Sequence, residues 1–506
     1  MGTSSASARP AADDGLEALF RPQSIAVVGA SANPKSQGYE FVQGLVEIGF
    51  PGPIHPVNPK LDELLGHKAY PRLEAIPGPV DFVISAVPAS AALELLEGAK
   101  AKGAKLIHLF TARFSETGRD DATQLERELK RRVRESGIRV IGPNCMGLYY
   151  PKAKLTFDPE LPAESGDVGF LTQSGSHGFR LITRGKQRGL RFSKVISYGN
   201  ALDLDEADFL DHFADDPETS VIAAYVEGIQ DGRRFFSALR RAVARKPVIV
   251  LKGGRSAAGH AAASSHTAAL AGQMKMWRAA VRQAGAIEVR TMDELVDTVV
   301  AFKYVGHAAG NRVAVLGGAG GETVESADLC NEAGLELPLP PEELREQLRE
   351  AVPHAWDWVG NPVDASILAW GRRSEAFEVM EMMAASPAYD AIIANLRGIE
   401  DSLGREDGET VFRDYMDRAK RLARESGKAA VFVLGEPRSS EEWRWKGAIR
   451  VREELAAAGV AAYPDMDRAT RAMGRYLRYL ARRQGGDSSD GRDAGQTPER
   501  PDPSSG

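Results

Sequence analysis

The stretch KGGRSAAGHAAASSHTAALAG, residues 252–272, carries His266 behind two serines and ahead of residues too small to shield it. Ser264 and Ser265 are good N-cap candidates for a helix of small residues, which puts His266 in or near that helix's first turn. An imidazole with little steric cover, facing amide donors that stabilise added negative charge, suits transient phosphorylation. That chemistry also needs a group to hold the neutral ring in one tautomer, and a carboxylate does this well. Glu227, in AYVEGIQDG, is expected at the end of the neighbouring strand. The competing reading is a capping histidine in an alanine-rich core helix, and this stretch alone leaves both open.

Two turns have the composition of anion cradles. VVGASANPKSQG places Gly29, Ala30, Ser31, Ser36 and Gly38 between a strand and a helix. Free backbone N–H groups and the positive end of a helix favour a phosphate there. The spacing is not GxGxxG, and no acidic residue ends the second strand to hold a ribose in the dinucleotide manner. That strand runs instead into HPVNPK, where Lys60 is available to meet another phosphate. An anionic nucleotide other than NAD fits; the alternative is that the glycines only permit a tight turn. TQSGSHG, residues 172–178, repeats the pattern, with Ser174, Gly175 and Ser176 as donors. A GxSxG nucleophile elbow is the rival reading, but position 172 is threonine where that motif has glycine. His177 reads as a surface or packing residue. IGPNCMG, residues 141–147, puts Asn144 and Cys145 at the C-terminal edge of a sheet, where ligands of open α/β folds bind. Cys145 could be a nucleophile, but nothing nearby marks it as a thiolate, and a small packing residue beside a ligand is the simpler reading.

Strands must bring these turns together. SIAVVG, GPIHPVNP, VDFVISAVP, KLIHLF and IRVIGPNC are short buried-type strands separated by helical patterns, and such alternation implies a mostly parallel sheet covered on both faces. The rhythm restarts at DVGFLTQSGSHGF and again at NRVAVLGGAGG. At roughly 100 to 200 residues per domain, a chain of 506 residues should hold about three. The expected division is a disordered N-terminus at 1–14, α/β domains at 15–150, 151–305 and 306–484, and a disordered tail at 485–506 that has almost no apolar residue.

Composition narrows the function classes. No apolar run approaches the roughly 18 to 20 residues of a membrane span, so no membrane association is expected. The N-terminus lacks the apolar segment of a secretory signal, and two cysteines cannot form a disulfide framework, so a cytoplasmic protein is expected. A net charge of −6 with mixed signs supplies no basic field for nucleic acid.

Taken together, VVGASANPKSQG, IGPNCMGL, TQSGSHG, SYGNALDLDEADFL, YVEGIQDGR and KGGRSAAGHAAASSHTAALAG occur in the order and approximate spacing of the NDP-forming acyl-CoA synthetases. Over about residues 15 to 480 the chain resembles the α subunit of an ADP-forming acetate–CoA ligase, a relative of succinyl-CoA synthetase α. The resemblance implies a Rossmann-like CoA-binding domain followed by two flavodoxin-like ligase domains, the first carrying the phosphohistidine. It places the phosphorylated residue at His266, its orienting carboxylate at Glu227, the phosphate turn at Ser174 and Gly175 and the CoA loop at Gly29 to Gly38; from the reading of the turns themselves, Ser176 is expected to join the phosphate site and Lys60 and Asn144 the CoA site. Phosphate would attack the thioester of an acyl-CoA, giving an acyl phosphate and free CoA, and His266 would take the phosphoryl group and pass it to ADP. CoA is the ligand implied for this chain, with no metal ligand on it; ADP or ATP and Mg2+ are implied on a partner.

Four positions depart from the family pattern: Ala268 and Arg113, where glycine is common, and the pair Ser176 and His177, where small apolar residues are more usual. No region reads as an ATP-grasp domain, so a β-type ATP-grasp subunit and an oligomer are expected, acting on a small carboxylic acid or its acyl-CoA. The alternative is a regulatory protein that binds CoA or acyl-CoA on a ligase scaffold. A nicotinamide-dependent oxidoreductase is disfavoured by the missing GxGxxG.

Overall fold

Runs of apolar and β-branched residues, four to eight long and bounded by glycine, proline or serine, form most strands of three largely parallel sheets. The computed structural model describes residues 15–259, 274–353, 356, 359–364, 373–404 and 406–487. Contacts divide the chain into two units, Met1–Val299 and Val300–Gly506.

The first unit holds two sheets. Strands β1 (Ile25–Val28) and β2 (Ile54–Val57) are followed by a small hairpin of β3 (Glu63–Leu64) and β4 (His67–Lys68), then by β5 (Phe82–Ser85), β6 (Leu106–Leu109) and β7 (Arg139–Ile141). The first sheet runs β2-β1-β5-β6-β7, all parallel, with Ile25 opposite Ile54 on one side and Phe82 on the other. After a short α1 (Gly15–Leu19), helix α2 (Gln37–Ile48) buries Phe41, Val42, Leu45 and Ile48, a helical-period face. Helices α3 (Ala92–Ala101) and α4 (Asp120–Ser136) set Leu95, Leu96, Ala99, Leu129 and Val133 into the same core as Ala26, Val83, Ile107 and Val140 of the sheet.

The second sheet is built from β8 (Gly147–Tyr149), β9 (Ser165–Thr172), β10 (Phe192–Ser197), β11 (Val221–Val226), β12 (Val248–Lys252) and β13 (Ile287–Val289), in the order β13-β12-β11-β9-β10-β8. Its strands are parallel except β8, which runs antiparallel to β10. The chain therefore changes sheets between Ile141 and Gly147, ahead of the boundary at 150 expected from the restart of the pattern. Helices α5 (Gly175–Gln187), α6 (Glu206–Asp215) and α7 (Gly232–Arg245) connect these strands. One charged residue lies inside β10: Lys194 is fully buried, with its Nζ 2.9 Å from Asp216 Oδ2, 3.1 Å from Glu17 Oε2 and 3.8 Å from Glu218 Oε2.

The second unit carries a four-stranded parallel sheet, β14 (Val313–Leu316), β15 (Ala391–Asn395), β16 (Ala429–Val433) and β17 (Ala462–Tyr463), in sequential order. Met380, Met383, Phe412 and Met416 pack with Ile392 and Phe432 in its core. Among the described residues no helix is long and apolar enough to cross a membrane.

Both sheets of the first unit are doubly wound. With the hairpin and the edge strand β8 set aside, the orders β2-β1-β5-β6-β7 and β10-β9-β11-β12-β13 share one pattern, in which the second strand lies on one side of the first and the rest lie on the other. In that pattern a crevice opens at the C-terminal ends of the two strands where the winding reverses. Those pairs are β1 with β5 and β9 with β11.

Candidate functional site

The turn after β9 is shaped by its own side chains. Thr172 Oγ1 accepts the Ser174 N–H at 3.1 Å and donates to the Ser174 carbonyl at 2.9 Å. Ser174 then caps α5, its Oγ accepting the His177 N–H at 3.4 Å and lying 3.1 Å from Ser176 Oγ. A Cβ at Gly175 would lie 2.6 Å from Met146 Cγ, so glycine is the residue that lets this first helical turn close over its neighbour.

Glu227 follows β11, on the other side of the same switch point. Its backbone is held from both adjacent strands. The Gln173 Oε1, one residue before the turn's serine, accepts from the N–H groups of Glu227 and Gly228. The buried Lys252, at the end of β12, donates its Nζ to the carbonyls of Glu227 and Gly253. Burial lowers the Lys252 pKa, and the Glu227 charge opposes that shift. The carboxylate receives the Tyr225 hydroxyl, Oη to Oε1, at 3.0 Å. Ser174, Gly175, Ser176 and Glu227 are thus gathered at one crevice. His177, which the sequence suggests is a packing or surface residue, stacks on Tyr225 with ring centroids 4.2 Å apart, and its Nδ1 lies 3.2 Å from Ser174 Oγ. Burial, with Arg180 nearby, lowers the His177 pKa, so its imidazole is neutral at pH 7.

His266, Ser264, Ser265 and Ala268 lie outside the described residues. The chain that leads to them leaves the sheet beside Glu227: Lys252 is in register with Val226, and the Gly253 N–H donates to the Val226 carbonyl at 2.9 Å.

The first sheet's switch point is equally close-packed. Gly29 has φ +88°, and a Cβ there would lie 2.9 Å from the Ala86 carbonyl carbon at the end of β5. A Cβ at Gly38 would lie 2.2 Å from the Gly29 carbonyl oxygen, so the start of α2 rests directly on the turn. Ser36 caps α2 by accepting the Tyr39 N–H at 3.3 Å, and Ser31 Oγ accepts the Asn33 N–H at 3.1 Å. Ala30 is fully buried, which leaves its backbone as its contribution; Asn58 Nδ2 donates to its carbonyl at 2.6 Å, tying the end of β2 to the turn. Lys60 is exposed, and its N–H donates to Asn58 Oδ1 at 2.9 Å.

A hydrogen-bonded joint links the C-terminal edges of the two sheets. Asn144 Nδ2 donates to Asn200 Oδ1 at 3.3 Å, and Asn200 Nδ2 donates to Glu116 Oε2 at 2.7 Å. Glu116 also accepts the N–H groups of Arg113 and Phe114. Arg113 has φ +81°, a left-handed conformation that favours glycine, and the grip of Glu116 on its N–H holds an arginine there. Cys145 is buried, and burial pushes its thiol pKa well up, which leaves it a packing residue at neutral pH. Sequence reading passed over Gln173, Tyr225, Lys252 and Glu116. The available signals were a lysine ending an otherwise apolar strand and a glutamine just before the serine turn.

Residues 23–151 match a family model described as a CoA binding domain, and residues 165–302 one described as a succinyl-CoA ligase like flavodoxin domain. Acetate–CoA ligase (ADP-forming) II subunit alpha of Pyrococcus furiosus is 39% identical over 379 residues, covering 75% of this chain and 82% of that protein. The I subunit alpha of the same organism is 34% identical over 470 residues, covering 90% and 96%. Among solved structures, the dinucleotide forming acetyl-coenzyme A synthetase 1 of Ca. Korarchaeum cryptofilum, in complex with phosphate and ADP, aligns with a TM-score of 0.78 at 31% identity over 94% of this chain and 98% of that one.

Proposed function

Since this chain belongs to the family of α subunits of ADP-forming acetate–CoA ligases, we propose that it binds CoA at the Gly29 turn and carries the phosphoryl group on His266. The substrate is a small carboxylic acid and its CoA thioester. The turn from Gly29 to Gly38, where Gly29 and Gly38 sit in space too tight for a Cβ and Ala30, Ser31 and Ser36 offer N–H and hydroxyl groups, is the phosphate site of this reading, with Lys60 and Asn144 as further CoA-binding residues. At the second crevice the N–H and hydroxyl groups of Ser174, Gly175 and Ser176 hold phosphate as it attacks the thioester carbonyl. Acyl phosphate and free CoA result. His266 then takes the phosphoryl group from the acyl phosphate, the P–O bond to the acyl group breaking to release the carboxylate, and Glu227 orients the imidazole and offsets the positive charge that develops on it. Transfer onward to ADP, with Mg2+, is assigned to an ATP-grasp β-type subunit in a hetero-oligomer. The observation that carries this reading is the convergence of Glu227 and the Ser174 turn through Gln173.

Two measurements test it. In calorimetry on the full chain, CoA should bind, Lys60→Ala should weaken binding about tenfold through loss of one charge-assisted hydrogen bond, and Gly29→Val should abolish it. Tighter binding of NADH than of CoA would overturn the assignment. Mixing the chain with an ATP-grasp subunit should produce ATP-dependent acyl-CoA synthesis that neither polypeptide shows alone. Robust synthesis by the single chain would refute the need for a partner. Binding of acyl-CoA without activity in any such mixture would favour the regulatory alternative.

A further inference from the structure

Glu227 can orient a histidine only if it is itself held, and Tyr225 is one side chain that holds it. Tyr225 is the penultimate residue of β11 and Glu227 the first residue after it, and the phenol reaches Oε1 at 3.0 Å. Three features place that phenol. Its residue is in register with Thr172 of β9 and Leu251 of β12. Its ring is covered by the His177 imidazole, inclined by 19°. Its hydroxyl occupies space left by a glycine: a Cβ at Gly253 would lie 2.6 Å from Tyr225 Oη and 3.1 Å from Glu227 Cγ. Burial pushes the Tyr225 pKa well up and the Glu227 charge adds to the shift, so the phenol keeps its proton and donates it. Because His177 also meets Ser174 through Nδ1, a continuous line of contacts joins the phosphate turn to the carboxylate.

We infer that Tyr225 is a positioning residue for phosphoryl transfer, fixing the Glu227 carboxylate to which the orienting role is assigned, and that His177 clamps the Tyr225 ring against the Ser174 turn. This rests on the assignment of His266 and Glu227 above. It gives the departure at His177 a role: an aromatic ring there braces the phenol, which a small apolar residue would do less firmly.

The experiment is single-turnover labelling of the full chain with acetyl-CoA and radiolabelled inorganic phosphate, read as acid-labile protein-bound label. Tyr225→Phe keeps the ring and the stack and removes the hydroxyl. Its labelling rate should fall about 10- to 100-fold, as for outer partners of other tightly oriented histidines, with the half-saturating phosphate concentration unchanged. Its melting midpoint should stay within about 2 °C of the parent. His177→Ala should slow labelling less, His177→Phe should restore most of the rate by restoring the stack, and His177→Ala should add nothing in the Tyr225→Phe background. Gly253→Ala, which drives a methyl group into the phenol–carboxylate contact, should slow labelling as much as Tyr225→Phe. Tyr225→Phe labelling at the parent rate, or losing phosphate affinity while keeping its rate, would overturn the inference and leave the phosphohistidine assignment standing. Absence of acid-labile label in the unaltered chain would overturn both.

Discussion

His266→Asn is expected to eliminate the phosphoryl label outright. A phosphorylated imidazole nitrogen is acid-labile and base-stable, unlike a phosphate ester of Ser174 or Ser176, so the chemistry of the label identifies the acceptor as well as its loss. An asparagine amide is polar and compact but not nucleophilic, so the variant removes the attacking nitrogen without burying an apolar group. CoA binding, measured by calorimetry, should be unaltered, because the Gly29 turn belongs to the first sheet and His266 follows β12 of the second. Glu227→Gln should slow labelling by about two orders of magnitude or more without abolishing it: an amide still orients the ring but offsets its developing positive charge less. His260→Ala should label normally, and His177→Ala should label at a reduced rate. Label persisting in His266→Asn and vanishing in either control would move the acceptor to that histidine.

Lys194→Met should cost about 3 to 5 kcal/mol of stability, the penalty for leaving a buried charge without its partner. Lys194 has no solvent exposure, and the Asp216 carboxylate beside it is 2% exposed, so removing the ammonium strands an anion that water cannot reach. Glu17 and Glu218 lose less, because Arg21 contacts both and Lys152 also reaches Glu218. The same group sets an acid limit. Burial alone would raise the pKa of Asp216, of Glu17 and of Glu218, but the Lys194 charge and hydrogen bonds to the carboxylates outweigh it and hold all three below their ordinary values. Their contribution is therefore complete above the unfolded carboxylate range of about 4 and is lost as pH falls through the lowered folded values. Denaturant unfolding as a function of pH should show full stability at neutrality and a decline below about pH 4 in the parent. In Lys194→Met the decline should begin at higher pH, since the carboxylates have lost the cation that kept them ionised. A loss under about 1 kcal/mol at pH 7 would show that the network carries no net stability.

The turns were legible in the sequence because local chemistry builds them. Ser36 and Ser174 cap their helices from within three residues, and Gly29 and Gly38 sit where side chains have no room. Strands such as IAVV and VIVLK announce themselves as runs too apolar for an exposed surface. What escaped depends on chain segments far apart. Gln173 matters because β11 lies beside β9, Tyr225 because the start of α5 brings His177 over it, and Glu116 because Asn200 is 84 residues away in sequence and adjacent in space. Lys194 was in plain view inside a strand pattern, but its partners come from α1 and from the segment after α6, which no window along β10 contains. The three residues of β8 include a glycine and have no alternation to reveal them.

That last strand determines where the protein can be cut. A gene fragment ending at residue 150 would carry away Gly147–Tyr149, the strand that covers the outer edge of β10, while leaving β10 itself on the other piece. The backbone of Val195, Ile196 and Ser197 would then offer unpaired N–H and C=O groups to any passing chain, the arrangement that seeds edge-to-edge aggregation. A split that respects strand pairing falls between Ile141 and Gly147, inside the segment that also supplies Asn144 to the joint, so it would either sever the Asn144–Asn200 contact or part Asn144 from the first sheet. The two α/β layers of the first unit are in this sense spliced, and expression as separate pieces is the one simplification that their topology refuses.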